Sequence, residues 1–99
     1  MSYECHITLM VADSTAATPI AKEAGWKTSK IDGDPLLGDR VFFYLTAHSA
    51  SYHMLYTKME RTVSLLNRQG IAVVREKIEH ILHDIRFPHD AKETAHATK

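Results

Sequence analysis

Cys5-His6-Ile7-Thr8-Leu9-Met10-Val11 alternates along its whole length. Cys5, Ile7, Leu9 and Val11 share one side, while Glu4, His6, Thr8 and Met10 share the other. Period two with β-branched residues predicts a strand that packs its odd-numbered face and leaves its even-numbered face outward. The parity of this stretch fixes which side of the sheet is core, so every later assignment depends on it.

Downstream, Asp13, Ser14, Thr15 and Thr18 supply candidate N-caps, and Pro19 suits a first helical turn. Ile20, Ala21 and Ala24 form a short apolar stripe ending at Gly25, so a helix is predicted from about Ser14 to Ala24. Trp26 to Ile31 reads as a second strand, with Thr28 and Lys30 on its outward face. Asp32-Gly33-Asp34-Pro35-Leu36-Leu37-Gly38-Asp39 is dense in turn formers. Val41-Phe42-Phe43-Tyr44-Leu45-Thr46 is almost wholly β-branched or aromatic, as a strand in the middle of a sheet requires.

Leu55, Met59, Val63 and Leu66 recur at helical spacing, with Ser49 or Ser51 placed to cap and Gly70 to close, so a helix is predicted over about Ser51 to Arg68. The stretch from Ile71 carries two patterns. Ile71-Ala72-Val73-Val74 begins like a strand, whereas Val74, Ile78, Ile81, Leu82 and Ile85 also fit a helical stripe. A strand over about 71–78 is favoured because it completes the order β-α-β-β-α-β, with helix after residue 78 as the alternative. From Phe87-Pro88 to Lys99 apolar residues are sparse, so residues 1–86 read as a single α+β domain and 87–99 as a flexible tail.

The expected fold class is therefore an α+β, ferredoxin-like βαββαβ sandwich: a four-stranded antiparallel sheet with two helices on one face. Strands one and three would be central. The core would hold Ile7, Leu9, Val11, Val41, Phe43, Leu45, Leu55, Met59, Val63 and Leu66. That architecture hosts many activities and by itself names none.

Composition narrows the functions. The 99 residues are 44% apolar and 24% charged, as in ordinary globular chains, so collagen, coiled coil and wholesale disorder are excluded. Twelve Lys plus Arg balance twelve Asp plus Glu, which argues against partners recognised by bulk charge, nucleic acid and anionic membranes among them. Cys5 is the single cysteine, so no intrachain disulfide forms. The N-terminus lacks a basic and apolar leader pattern, and no apolar run approaches the ~20 residues that span a bilayer, so a cytoplasmic location is expected.

The outward face is expected to gather Glu4, His6 and Thr8, then Phe42, Tyr44 and Thr46, joined by Thr28 and Lys30 and by Val73, Arg75, Lys77 and Glu79. Phe42 and Tyr44 are residues that interfaces favour, which makes a self-associating binding module, a homodimer through its sheet, the leading expectation. The alternative is a small enzyme acting on a phosphate- or carboxylate-bearing substrate. There His6 would serve as general acid or base, Tyr44 as an orienting donor, and Lys30, Arg75 and Lys77, with Glu79 beside them, would form the ligand-binding set.

Other motifs weigh less. His6-Ile7-Thr8 resembles half of the signature of the two-histidine phosphoesterases, in which two His-x-Thr tripeptides on facing strands grip a phosphate. The other His-x-Thr here is His96-Ala97-Thr98, close to the end of the chain, and that family's chains are longer and duplicated. Phe42 and Tyr44 are similar in placement to the strand-three aromatics of the RNA-recognition motif, but Glu4 and His6 stand where a stacking ring is wanted. Glu76, His80 and His83 would share a helix face able to ligate a metal, yet they fall apart on a strand. Asp32, Asp34 and Asp39 lack calcium-loop spacing, and no phosphate-cradling glycine loop occurs, so neither a metal nor a cofactor is expected. Cys5 points inward and reads as packing.

Overall fold

The structure, a computed structural model, describes residues 2–31 and 41–82. Its order is β1 (Ser2–Met10), a 3-10 turn (Val11–Asp13), α1 (Ser14–Glu23), β2 (Lys27–Ile31), β3 (Phe42–Ser49), α2 (Tyr52–Arg68) and β4 (Val73–Ile81). The four strands form one antiparallel sheet in the order β2-β3-β1-β4, so β1 and β3 are central. The architecture is thus α+β, with the helices after β1 and β3. The segment after Gly70 is extended through Ile81, which settles the helix–strand ambiguity in favour of the strand. The expected turn at 32–39 and the tail from 87 lie outside the described residues.

Parity along β1 decides the core. Cys5, Ile7 and Leu9 are wholly buried and lie opposite Ala47, Leu45 and Phe43 of β3. These pack with Ala17 and Ala21 of α1 and Leu55, Met59 and Leu66 of α2. Both helices therefore cover the odd-numbered face, because only there do the two central strands present unbroken apolar rows. Three expected core residues sit further out. Val41 is exposed, Val63 is half-buried on α2, and Val11 is half-buried because β1 gives way to the 3-10 turn there.

Both helices stop by the same device. Gly25 and Gly70 adopt φ of 81° and 77°, a left-handed conformation that L side chains rarely adopt. Trp26 N–H then reaches back to the Ala21 carbonyl at 2.8 Å and Ile71 N–H to that of Leu66 at 3.0 Å. Gly25 N–H and Gly70 N–H close the inner bonds to Lys22 and Asn67. These are Schellman closures, and in each the residue after glycine is a buried apolar anchor, Trp26 or Ile71. At the other end of α2 the Ser51 hydroxyl caps, accepting from Met54 N–H at 3.2 Å. Pro19 lies inside α1 rather than in its first turn.

Candidate functional site at the polar end of the sheet

The even-numbered face of β1 meets the even-numbered face of β3. His6 lies opposite Thr46, Thr8 opposite Tyr44 and Glu4 opposite His48. On the other flank, Glu4, His6 and Thr8 lie opposite Glu79, Lys77 and Arg75 of β4. Three adjacent strands thus contribute a three-by-three array to the face away from the helices.

The array divides into two halves. Towards the β1–α1 end, Thr8 and Tyr44 are 2% and 8% exposed, and Phe42, in the next row opposite Met10, is 2% exposed. Phe42 and Tyr44, the expected interface anchors, are therefore already buried within the chain. Towards the other end, Glu4, His6 and His48 keep side-chain exposures of 23%, 25% and 36%. Here the polar groups converge on one carboxylate.

Glu4 Oε1 bonds His6 Nε2, and Glu4 Oε2 bonds His48 Nε2 at 2.6 Å. His6 Nδ1 in turn lies 3.0 Å from Thr46 Oγ1. These partners assign the protons. A carboxylate only accepts, so each Nε2 facing it carries hydrogen. In the neutral rings, Nδ1 of both histidines then holds the lone pair. On His6 that lone pair accepts from the Thr46 hydroxyl, so both of its ring nitrogens are engaged. On His48, Nδ1 has no partner among the described residues.

Burial works to raise the Glu4 pKa, but the His48 and His6 hydrogen bonds and the charge of those rings outweigh it. Its carboxyl is held below the ordinary 4.5, and it stays ionised near neutrality. An ionised carboxylate behind an imidazole fixes the ring's tautomer and orientation and stabilises the imidazolium that forms when Nδ1 takes a proton.

The six site residues expected from sequence fall in different places. His6 is at the centre of the polar half, with both nitrogens occupied. Tyr44 is buried and has a partner of its own. Lys77 and Glu79 share the face but form an ion pair with each other at 2.5 Å. Arg75 lies on the same face beside Thr8. Lys30 does not join them. It pairs with Phe43 and belongs to the file of the sheet that carries the core, as does Thr28, opposite Leu45. Lys27 and Ser29 take the outward positions instead, opposite Thr46 and Tyr44. Trp26 explains the parity. It is 4% exposed, and positions 28 and 30 continue its side of the strand.

Val73 also departs from expectation. The β1–β4 register shifts between Thr8 and Leu9, which pair with Arg75 and Val73 respectively, so Val74 is the extra residue of a bulge. The bulge turns Val73 towards the core, where it packs against the buried cluster. Glu76 and His80 sit on β4 four residues apart, opposite Ile7 and Tyr3, not on a helix face; His83 lies outside the described residues. Among the described residues no group of three or more His, Cys, Asp or Glu is arranged to hold a metal ion. Cys5 is wholly buried, and that burial pushes its thiol up to about 12.

His48 is the residue that sequence reasoning missed. Its signal is present: Thr46-Ala47-His48 is His-x-Thr read backwards. Antiparallel pairing sets that reversed tripeptide beside Glu4-Cys5-His6, with Thr46 opposite His6 and His48 opposite Glu4. No protein-family model matches the chain, and no curated protein matches it.

Proposed function

We propose that this chain binds a small anionic molecule, phosphate- or carboxylate-bearing, at the polar end of its sheet and moves a proton on it. One observation carries the reading: a single carboxylate, Glu4, buttresses two imidazoles on adjacent central strands while one of them, His48, keeps a ring nitrogen for a ligand. His48 Nδ1 acts as the general base and, once protonated, as the general acid. Glu4 holds the ring and offsets the positive charge. His6 holds Glu4 and is itself held by Thr46, so both act as positioning residues. Positive charge for the anion comes from Lys27 on β2, opposite Thr46, since Lys77 is already engaged by Glu79 and Arg75 lies beside Thr8 in the other half of the face.

The strand order and the helices after β1 and β3 support assigning the fold to the ferredoxin-like plan. Self-association through the sheet face has less support than the sequence suggested. Its two aromatic anchors are buried already, and the exposed half of the face is charged, which interface cores avoid. A homodimer by edge pairing of β4 is opposed by its bulge and by Lys77 and Glu79.

The test is a titration with inorganic phosphate and with acetate, followed in the imidazole resonances by nuclear magnetic resonance. A saturable response at His48 that is lost in Glu4→Gln supports the reading. Absence of any response at tens of millimolar of either anion sinks it. Light scattering at high concentration decides the alternative: a concentration-independent dimer restores the interface reading.

A further inference from the structure

A cavity of about 660 Å³ runs along α2 on the helix side of the sheet. Its lining includes His48 and Ser49 at the end of β3, then His53, Met54, Lys58, Arg61 and Leu65 of α2. The residues from His53 to Leu65 span about 18 Å of helix at ~1.5 Å per residue, so the cavity is elongated. That volume and length suit a small molecule of drug-like size.

The chemistry of the walls is uneven. Four of the eleven lining side chains are His, Lys or Arg, and none is Asp or Glu. Arg61 is exposed, with no ion pair or hydrogen bond among the described residues. Lys58 is half-buried, with its Nζ 5.4 Å from the centre of the Trp26 ring and 3.4 Å from the Gly25 carbonyl that accepts from it. Around these cations lie Ala24, Leu55, Leu65 and Met54, the last 67% exposed although it is a large apolar side chain. Unpaired positive charge above an apolar floor is complementary to one kind of occupant: a molecule with an apolar body and an anionic group.

We propose that this cavity is a second ligand pocket, apart from the Glu4 cluster, and that its occupant is a soluble amphipathic anion, an alkyl phosphate or alkyl carboxylate. Its apolar body lies towards Leu65 and Ala24, and its charge is held by Arg61 and Lys58. This assignment is independent of the acid–base reading at His48. The binding itself depends on the cavity walls.

Trp26 is the single tryptophan of the chain and stands under Lys58, so its fluorescence reports occupancy. The titrant is octyl phosphate, with octanol, inorganic phosphate and vesicles of anionic phospholipid as separate arms. Saturable binding of octyl phosphate, about tenfold weaker in Arg61→Ser and in Lys58→Met with circular dichroism unchanged, supports the proposal. Weaker responses to octanol and to inorganic phosphate than to octyl phosphate also support it. Equal affinity for octanol, no loss in Arg61→Ser, or a response confined to vesicles overturns it. Because Arg61 is exposed, its replacement tests the cavity without removing core packing. Saturable octyl phosphate binding with no response of His48 to any anion leaves this pocket standing and removes the acid–base reading. A His48 response to phosphate without octyl phosphate binding does the reverse.

Discussion

Glu4 on β1 and His48 on β3 stand directly opposite each other, and their side chains meet at 2.6 Å on the outward face of the sheet. The same carboxylate holds His6, two residues along its own strand. The arrangement fixes the protons on both rings. Neutral His48 carries its hydrogen on Nε2, and long-range proton–nitrogen correlation spectra should show that tautomer dominating. In Glu4→Ala the preference should relax towards a mixture of tautomers, and the loss of two hydrogen bonds to a charged group should cost about 1.5–3 kcal/mol in urea unfolding. A wild-type spectrum dominated by the Nδ1–H form would remove the basis of the site.

The same carboxylate sets an acid dependence. Its folded pKa lies below the ordinary 4.5, so the ionised form favours the folded state. That contribution is whole above about pH 4.5 and is lost as pH falls through the lower, folded value. Glu4→Gln should therefore be less stable than the parent near neutrality, and the gap in urea midpoint should close on acidification. A gap that persists at low pH would point to packing rather than charge.

Trp26 and Thr62 form the polar contact that locks the α1–β2 turn to α2. The indole Nε1–H donates to Thr62 Oγ1 at 2.9 Å, with Trp26 4% and Thr62 1% exposed. Thr62→Val keeps the shape but strands a buried donor, and should cost about 1–3 kcal/mol. Thr62→Ser, which retains the hydroxyl, should cost less. Equal losses for the two would assign the effect to the missing methyl contacts instead.

Cys5 is wholly buried, and desolvation, reinforced by the nearby Glu76 charge, pushes its thiol up to about 12. At pH 8 it should resist an aromatic disulfide reagent in the native state and react only at the rate of unfolding. Rapid labelling of the folded chain would show that this part of the core opens locally.

Ser51 accepts the Met54 N–H and so satisfies one of the unpaired donors at the start of α2. Ser51→Ala should lower stability by about 1 kcal/mol, seen as a shift of the urea midpoint with unchanged slope. Because His48 and the cap sit three residues apart, the His48 resonances offer a second readout. They should stay in place if β3 holds His48 independently of the helix start.

Much of the fold was legible in the sequence because it depends on local periodicity. The alternation of residues 5–11 gave the buried face of β1, the Leu55-Met59-Leu66 spacing gave α2, and Gly25 and Gly70 marked where both helices end. Each of these is a property of neighbours a few positions apart. The tertiary structure alone decided what depends on how separate strands meet. His48 escaped notice because the apolar run ends at Thr46, while β3 continues to Ser49 by pairing with β1. Lys30 fell on the core side because burial of Trp26 set the parity of β2, and Val74 bulged because β4 has to fit β1 at Thr8 and Leu9. Registry between strands follows from long-range pairing and burial together, and no window of sequence contains both partners.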